Sequence, residues 1–133
     1  MLRTTLGLVA LLTLTGCASS SNIINAPIDA GISRNFNAPY SQTKRLALES
    51  VQGLNVDINS TKDSGGAFSV VFSKPMSAFS WGEVGRIIVL DIAPQSRVTV
   101  FSEKRVKTQI TGTDNDQFAQ SIFEGIDHAL GNN

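Results

Sequence analysis

One cysteine, one histidine, one tryptophan and one tyrosine in 133 residues leave this chain short of the groups on which most site chemistry depends. A single Cys excludes an internal disulfide. It also excludes a zinc cage, which takes three or four Cys, His or carboxylate ligands. Charge of one sign is equally lacking: eleven basic residues balance eleven acidic ones, whereas a general nucleic-acid binder needs a surplus of Lys and Arg on one face. Four prolines, eleven glycines without a triplet period and 41% apolar content exclude collagen-like and disordered classes. No repeat of fixed period is present. What remains is enough for one modest domain, since two would each be too small to bury a core.

The first residues read as an address. Arg3 gives a short positive start, Leu6-Gly7-Leu8-Val9-Ala10-Leu11-Leu12 opens an apolar run, and small residues come next at Thr15, Gly16, Cys17 and Ala18. That is the pattern of an export signal. The apolar run, Leu6 to Leu14, has about half of the ~20 residues that a spanning helix needs, so it is too short for a permanent anchor. Where an ordinary signal ends in a small-x-small cleavage site, this one ends Leu14-Thr15-Gly16-Cys17, which resembles the lipobox of bacterial lipoproteins. The resemblance implies a diacylglyceryl group on the Cys17 sulfur, cleavage after Gly16, N-acylation of the new terminus and attachment to a membrane through those chains. Two or three chains give durable anchoring where one, at ~0.8 kcal/mol per buried CH₂, is marginal. In a lipoprotein of a diderm source, Ala18 in place of Asp implies the periplasmic face of the outer membrane. The same residues also suit a plain secretory signal or a buried N-terminal helix.

Residues 1–16 are thus expected to be a lipoprotein signal peptide, and 17–31 an acylated Cys followed by a flexible tether rich in Ser, Asn and Ala. Ile24, Ile28, Ile32 and Phe36 recur every fourth residue, a weak helical signal that Pro27 and Gly31 interrupt. A single α+β domain is expected over 32–133. It opens with a brief strand over Ile32 to Phe36 and a helix from Tyr40 whose apolar face is Tyr40, Thr43, Ala47, Val51 and Leu54, stopped by Gly53. Leu54 to Asn59 alternates apolar and polar, as a half-buried strand does. Ser64-Gly65-Gly66 makes a turn into a strand with Phe68, Val70 and Phe72 on one side. Gly85 to Ala93 is β-branched and nearly continuous, the mark of a central strand covered on both faces. After Pro94-Gln95 a strand runs over Arg97 to Ser102, and a weaker one over Val106 to Thr111. A closing helix starts at a capping box, Asp114 with Gln117, buries Phe118, Ile122, Ile126 and Ala129, and ends at Gly131. The fold class is therefore α+β: an antiparallel sheet of four to five strands, with an N-terminal and a C-terminal helix packed on one face.

The layout Ser33-Arg-Asn-Phe-Asn-Ala-Pro-Tyr40, a helix, Gly53-Leu-Asn-Val-Asp-Ile58, a Gly-containing turn, strands with Val-Thr-Val at 98–100 and a closing helix resembles small bacterial lipoproteins. It is distantly similar to the helix-grip modules of the outer-membrane barrel assembly accessory lipoprotein. The resemblance spans roughly residues 33 to 130 and brings no catalytic residues with it, because none are established for that family.

A search for chemistry returns little. A Ser-His-Asp scheme would have to use His128, which the last turn of a helix accommodates through the dipole alone, and no G-x-S-x-G elbow occurs. Asp114-Asn115-Asp116 alternates oxygen ligands but lacks the Gly and Glu of a calcium loop. No cofactor and no metal site are expected. Lys104, Arg105 and Lys107 form the one basic cluster, suited to a hairpin tip or to anionic headgroups. Met76, Phe79 and Trp81 stand in a long connection between strands, either as anchors for a partner or as an extra edge strand. The expectation is a non-enzymatic accessory lipoprotein of the cell envelope that binds another envelope protein. The rival expectation is a carrier of a small apolar molecule or lipid, with Phe68, Phe72, Phe79 and Trp81 lining a cavity between sheet and helix.

Overall fold

Alternation of β-branched and aromatic residues with small polar ones gives the chain its sheet, and the computed structural model describes residues 20–75, 82–104 and 115–131. The elements are α1 (Ser20–Asn25), β1 (Ile32–Phe36), α2 (Tyr40–Gln52), β2 (Asp57–Asp63), β3 (Ala67–Lys74), β4 (Glu83–Ile92), β5 (Gln95–Lys104) and α3 (Asn115–Ala129). Strands β2 to β5 succeed one another as antiparallel neighbours, and β1 joins the far side of β5, so the sheet order is β1-β5-β4-β3-β2. Helix α2 must therefore carry the chain across the whole sheet, from the β1 edge to the β2 edge.

Register divides the strands into two faces. Phe68, Val70 and Phe72 of β3, Ile87 and Val89 of β4, Val98 and Val100 of β5, and Phe36 of β1 point to one side. There they meet Leu46, Ala47 and Val51 of α2 and Phe118, Ile122, Phe123 and Ile126 of α3. Both helices pack on this inner face, as the sequence leads one to expect. The rings of Phe72 and Phe118 pack edge to face at 5.4 Å, and those of Phe36 and Phe123 tilt at 5.9 Å, arrangements that aromatic quadrupoles favour. Ser96 Oγ ties α2 to the sheet by hydrogen bonds with the Ala38 carbonyl at 2.9 Å and the Thr43 hydroxyl at 2.5 Å.

Two expectations are corrected. The strand read over Leu54 to Asn59 begins only at Asp57, because Asn55 takes a left-handed φ of 34° and turns the chain there. It is also exposed at all seven residues rather than half-buried, since β2 is the sheet edge and is broken by a bulge between Ile58 and Ser60. The second correction concerns the tether of 17–31, which does not hold from Ser20 onward. Residues 20–25 form α1 against the outer face of the sheet, where Ile23 is fully buried among Val71, Val84 and Phe101. Tertiary packing overrides the weak local propensity of so short a helix. The folded unit thus includes residues 20–31, ahead of the boundary expected at residue 32. The weaker strand over Val106 to Thr111 and the capping residue Asp114 lie outside the described residues. Among the described residues the sheet has five strands, of which β1 is one.

Candidate functional site

Position 86 falls within the β-branched run of β4, on the outer face, where a charge is costly unless acceptors hold it; both Nη atoms have them, and Nε is buried without one. Arg86 is only 4% exposed. Its Nη1 donates to the carbonyl oxygens of Ile23 at 2.9 Å, Ile24 at 3.3 Å and Ala26 at 2.9 Å, and its Nη2 to that of Pro27 at 2.7 Å. Ile23 and Ile24 belong to the last turn of α1, where carbonyls lack helical donors, and Ala26 and Pro27 follow it directly. The guanidinium therefore caps α1 and clamps residues 20–27 to the sheet. Burial pushes its pKa below the usual arginine range. Neutral carbonyls, not a carboxylate, hold the charge, so the arrangement is a structural clamp and not a proton-transfer site.

Open hollows indent the described surface at several places. One, of about 340 Å³, runs between the α2–β2 junction and the start of α3, lined by Leu54, Asn55, Val56, Lys74, Phe118 and Ser121. A second, of about 330 Å³, separates α2 from α3 where Gly125 approaches Ser50. The third, of about 200 Å³, lies on the outer face beside Ile28, Asp29, Leu90 and Arg97. The first combines an apolar floor with a cationic side chain, and its Lys74 stands in register with Glu83, which is paired on the other side with Lys104. Glu83 is fully buried, so this row brings charge into the end of the inner face.

At the opposite corner, Asp63 accepts hydrogen bonds from the Tyr40 hydroxyl at 2.8 Å, from Lys44 Nζ at 2.6 Å and from the Gly65 amide at 3.0 Å. The Lys44 bond first, then those of Gly65 and Tyr40, hold the Asp63 carboxyl down at about 2. Desolvation, and then the bond and charge of Asp63, push the Tyr40 phenol up to about 12. The cluster pins β2 to the first turns of α2. It has no hydrophobic enclosure and no nucleophile beside it.

The residues singled out in the sequence fare unevenly. Cys17 with Leu14, Thr15 and Gly16, and Met76, Phe79 and Trp81, lie outside the described residues, as do Arg105 and Lys107. Phe68 and Phe72 belong to the packed core, and Phe72 is fully buried against Phe118. His128 is exposed in the last turn of α3. Its neighbour Asp127, which would have to orient it in a catalytic scheme, faces Arg34 instead, with Nη1 and Oδ2 2.6 Å apart. Among the described residues no group of three His, Cys, Asp or Glu side chains could hold a metal ion, and no helix is long and apolar enough to cross a membrane. Sequence reasoning missed Arg86. The signal was present, because a lone arginine inside a strand covered on both faces requires a purpose-built set of acceptors.

No family model matches the sequence, and no curated protein does either. Among solved structures, the crystal structure of Ara h 8.0201 aligns over 77% of this chain and 96% of its own, with 10% identity and a TM-score of 0.45. That of TTHA0849 from Thermus thermophilus aligns over 74% of this chain and 94% of its own, with 15% identity and a TM-score of 0.41. Alignments at this level share a rough arrangement of strands and helices and assign no chemistry.

Proposed function

We propose that this chain is a lipid-anchored lipoprotein of the bacterial cell envelope that acts by binding and not by catalysis, as an accessory to another envelope protein. The observation that carries the reading is Leu14-Thr15-Gly16-Cys17 at the end of an export signal, three residues ahead of the first folded element at Ser20. Fatty chains on Cys17 make the only thiol unavailable for redox or metal chemistry. Met76, Phe79 and Trp81, which fall between β3 and β4 in the sequence, are the proposed partner contacts. Intact mass of the protein extracted from membranes is the deciding experiment: the expected species begins at Cys17 and carries a diacylglyceryl group and an N-acyl chain. Material beginning at Met1 with a free thiol would overturn the reading. A photoreactive residue in place of Phe79 is expected to capture a reproducible envelope partner in living cells, and Trp81→Ala to weaken that capture.

A second reading, a carrier of a small apolar molecule or lipid, is favoured by the hollow of about 340 Å³ at Leu54, Val56 and Phe118 beside Lys74. Its volume lies at the lower end of ligand sites, which span ~300–1,000 Å³. Displacement of a fluorescent fatty acid from the purified domain, lost in Val56→Asp, is the expected result for a carrier. Absence of any binding would leave the accessory role alone.

A further inference from the structure

Of the large apolar side chains exposed among the described residues, Ile24 at 54% and Ile28 at 55% are the most open, and both stand on the short stretch that covers the outer sheet face. Their neighbour Ile23 is fully buried. The stretch is therefore two-sided, with one isoleucine driven into the sheet and two turned out. It is not free to rearrange, because Arg86 holds the carbonyls of Ile23, Ile24, Ala26 and Pro27.

We infer that this strap, with Ile24 and Ile28, is a membrane-contact surface, which seats the domain with its outer sheet face toward the bilayer that holds Cys17. The inference rests on the proposed acylation of Cys17. Ser20 follows Cys17 by three residue steps, which at ~3.3–3.6 Å per step span about 10 Å at full extension. The anchor therefore admits no position in which α1 is far from the lipid surface. Exposed isoleucines carried this close to a bilayer gain by entering the boundary between headgroups and acyl chains, where interfacial segments bury their apolar face ~5–10 Å deep. Arg97, exposed on the same face and bonded through Nε to Asn35 Oδ1 at 3.0 Å, stands at the rim of the hollow that Ile28 lines. Its charge suits headgroup phosphates. The clamp at Arg86 converts an anchor at one atom into a fixed orientation, in which α2, α3 and the groove at Leu54 and Val56 face away from the membrane.

Single-tryptophan reporters test the orientation. In a Trp81→Phe background, Ile24→Trp, Ile28→Trp and, on the opposite face, Ser121→Trp are reconstituted into vesicles of phosphatidylethanolamine, phosphatidylglycerol and a brominated phosphatidylcholine. Tryptophan at 24 and 28 is expected to lose at least half its emission to the brominated chains, and tryptophan at 121 to keep nearly all of it. Equal emission at the three positions, or quenching confined to 121, overturns the inference, whether or not a protein covers the strap in the cell. Intact mass of the same preparations reports acylation separately. If the thiol is free, coupling Cys17 to a maleimide lipid restores the tether, so failure of the anchor and failure of the orientation give different results. Should Trp81→Phe fail to fold, hydrogen exchange of the unsubstituted chain in vesicles, compared with Cys17→Ser in solution, is expected to show added protection over residues 22–30. Unchanged exchange there overturns the inference as well.

Discussion

Asp63 ends β2 with its carboxylate taken by Lys44, Gly65 and Tyr40, and protonation of the group weakens each of these bonds. Its folded pKa of about 2 lies below the ordinary 3.8, so the unfolded chain binds the proton first. The contribution to stability is complete above the unfolded value and drains away as pH falls from about 4 toward 2. Urea midpoints measured across that window are expected to fall more steeply for the natural chain than for Asp63→Asn. Tyr40 is the opposite case. Its pKa is raised to about 12, so whatever it contributes is present below 10 and is lost as pH rises from about 10 to 12. Because it is the only tyrosine, tyrosinate absorbance reads it directly. Titration is expected near 12 in the natural chain and lower in Asp63→Asn, which removes the charge of the acceptor but leaves an amide oxygen and the desolvation. A third residue-scale test concerns Gly85, the cross-strand partner of Phe72. A methyl there would run into Cζ of a ring that is itself fully buried against Phe118. Gly85→Ala is expected to destabilise by about 1–3 kcal/mol, the range for overpacking. In urea denaturation, Phe72→Leu with Gly85→Ala should lose less than the two single losses combined, because the residues share one volume.

Among the helices, α1 puts a single residue, Ile23, into a core cluster and is held by one side chain from the sheet, Arg86. Arg86→Met keeps the length of the side chain and removes the donors, and hydrogen bonds to a charged group contribute ~1.5–3 kcal/mol. A loss of that size is expected, together with faster hydrogen exchange over residues 22–30 while the amides of β4 and β5 stay protected. This element was the least legible in the sequence. The fourfold recurrence of Ile24, Ile28, Ile32 and Phe36 was visible, but a six-residue helix has no propensity to declare itself, and the reason it forms lies about sixty residues away at Arg86. Elements whose core faces repeat were readable. β1 occupies 32–36 as expected, α2 runs from Tyr40 to the residue before Gly53, and Phe118, Ile122 and Ile126 form the buried stripe of α3, while Ala129, expected in that stripe, is exposed at the helix end. The strand expected at Leu54 failed for a local reason. Leu54 and Val56 do alternate, but Asn55 adopts a positive φ, and the strand begins two residues later as an edge. Leu54 and Val56 are left to line the groove that supports the carrier reading, so the alternation that misplaced the strand is produced by the residues of a candidate site.

Taken whole, the molecule is a sheet with unequal covers. The inner face lies under two helices and holds the main core, while the outer face has one short helix beside the chain end that leads to Cys17. Both sheet edges are polar: β2 presents Asp57, Lys62 and Asp63, and β1 presents Ser33, Arg34 and Asn35. Charged edges of this kind discourage further strand pairing. The proposed acylation site, Cys17, precedes Ser20, and among the described residues both core clusters draw on Ile23 and later positions. Cys17→Ser is expected to shift the protein from the membrane to the soluble fraction of the envelope and to leave its urea midpoint unchanged, within the ~0.5 kcal/mol typical of substitutions outside packed regions. Ile23→Ala should do the reverse: the protein stays with the membrane, but it loses stability as a buried side chain is truncated, by about 2–5 kcal/mol where the site cannot collapse. Cell fractionation and denaturation of the same two variants check both halves. A Cys17→Ser protein that stays in the membrane fraction would mean that the chain is held there by something other than fatty chains on that sulfur, and the outward isoleucines of the strap would be the first residues to examine.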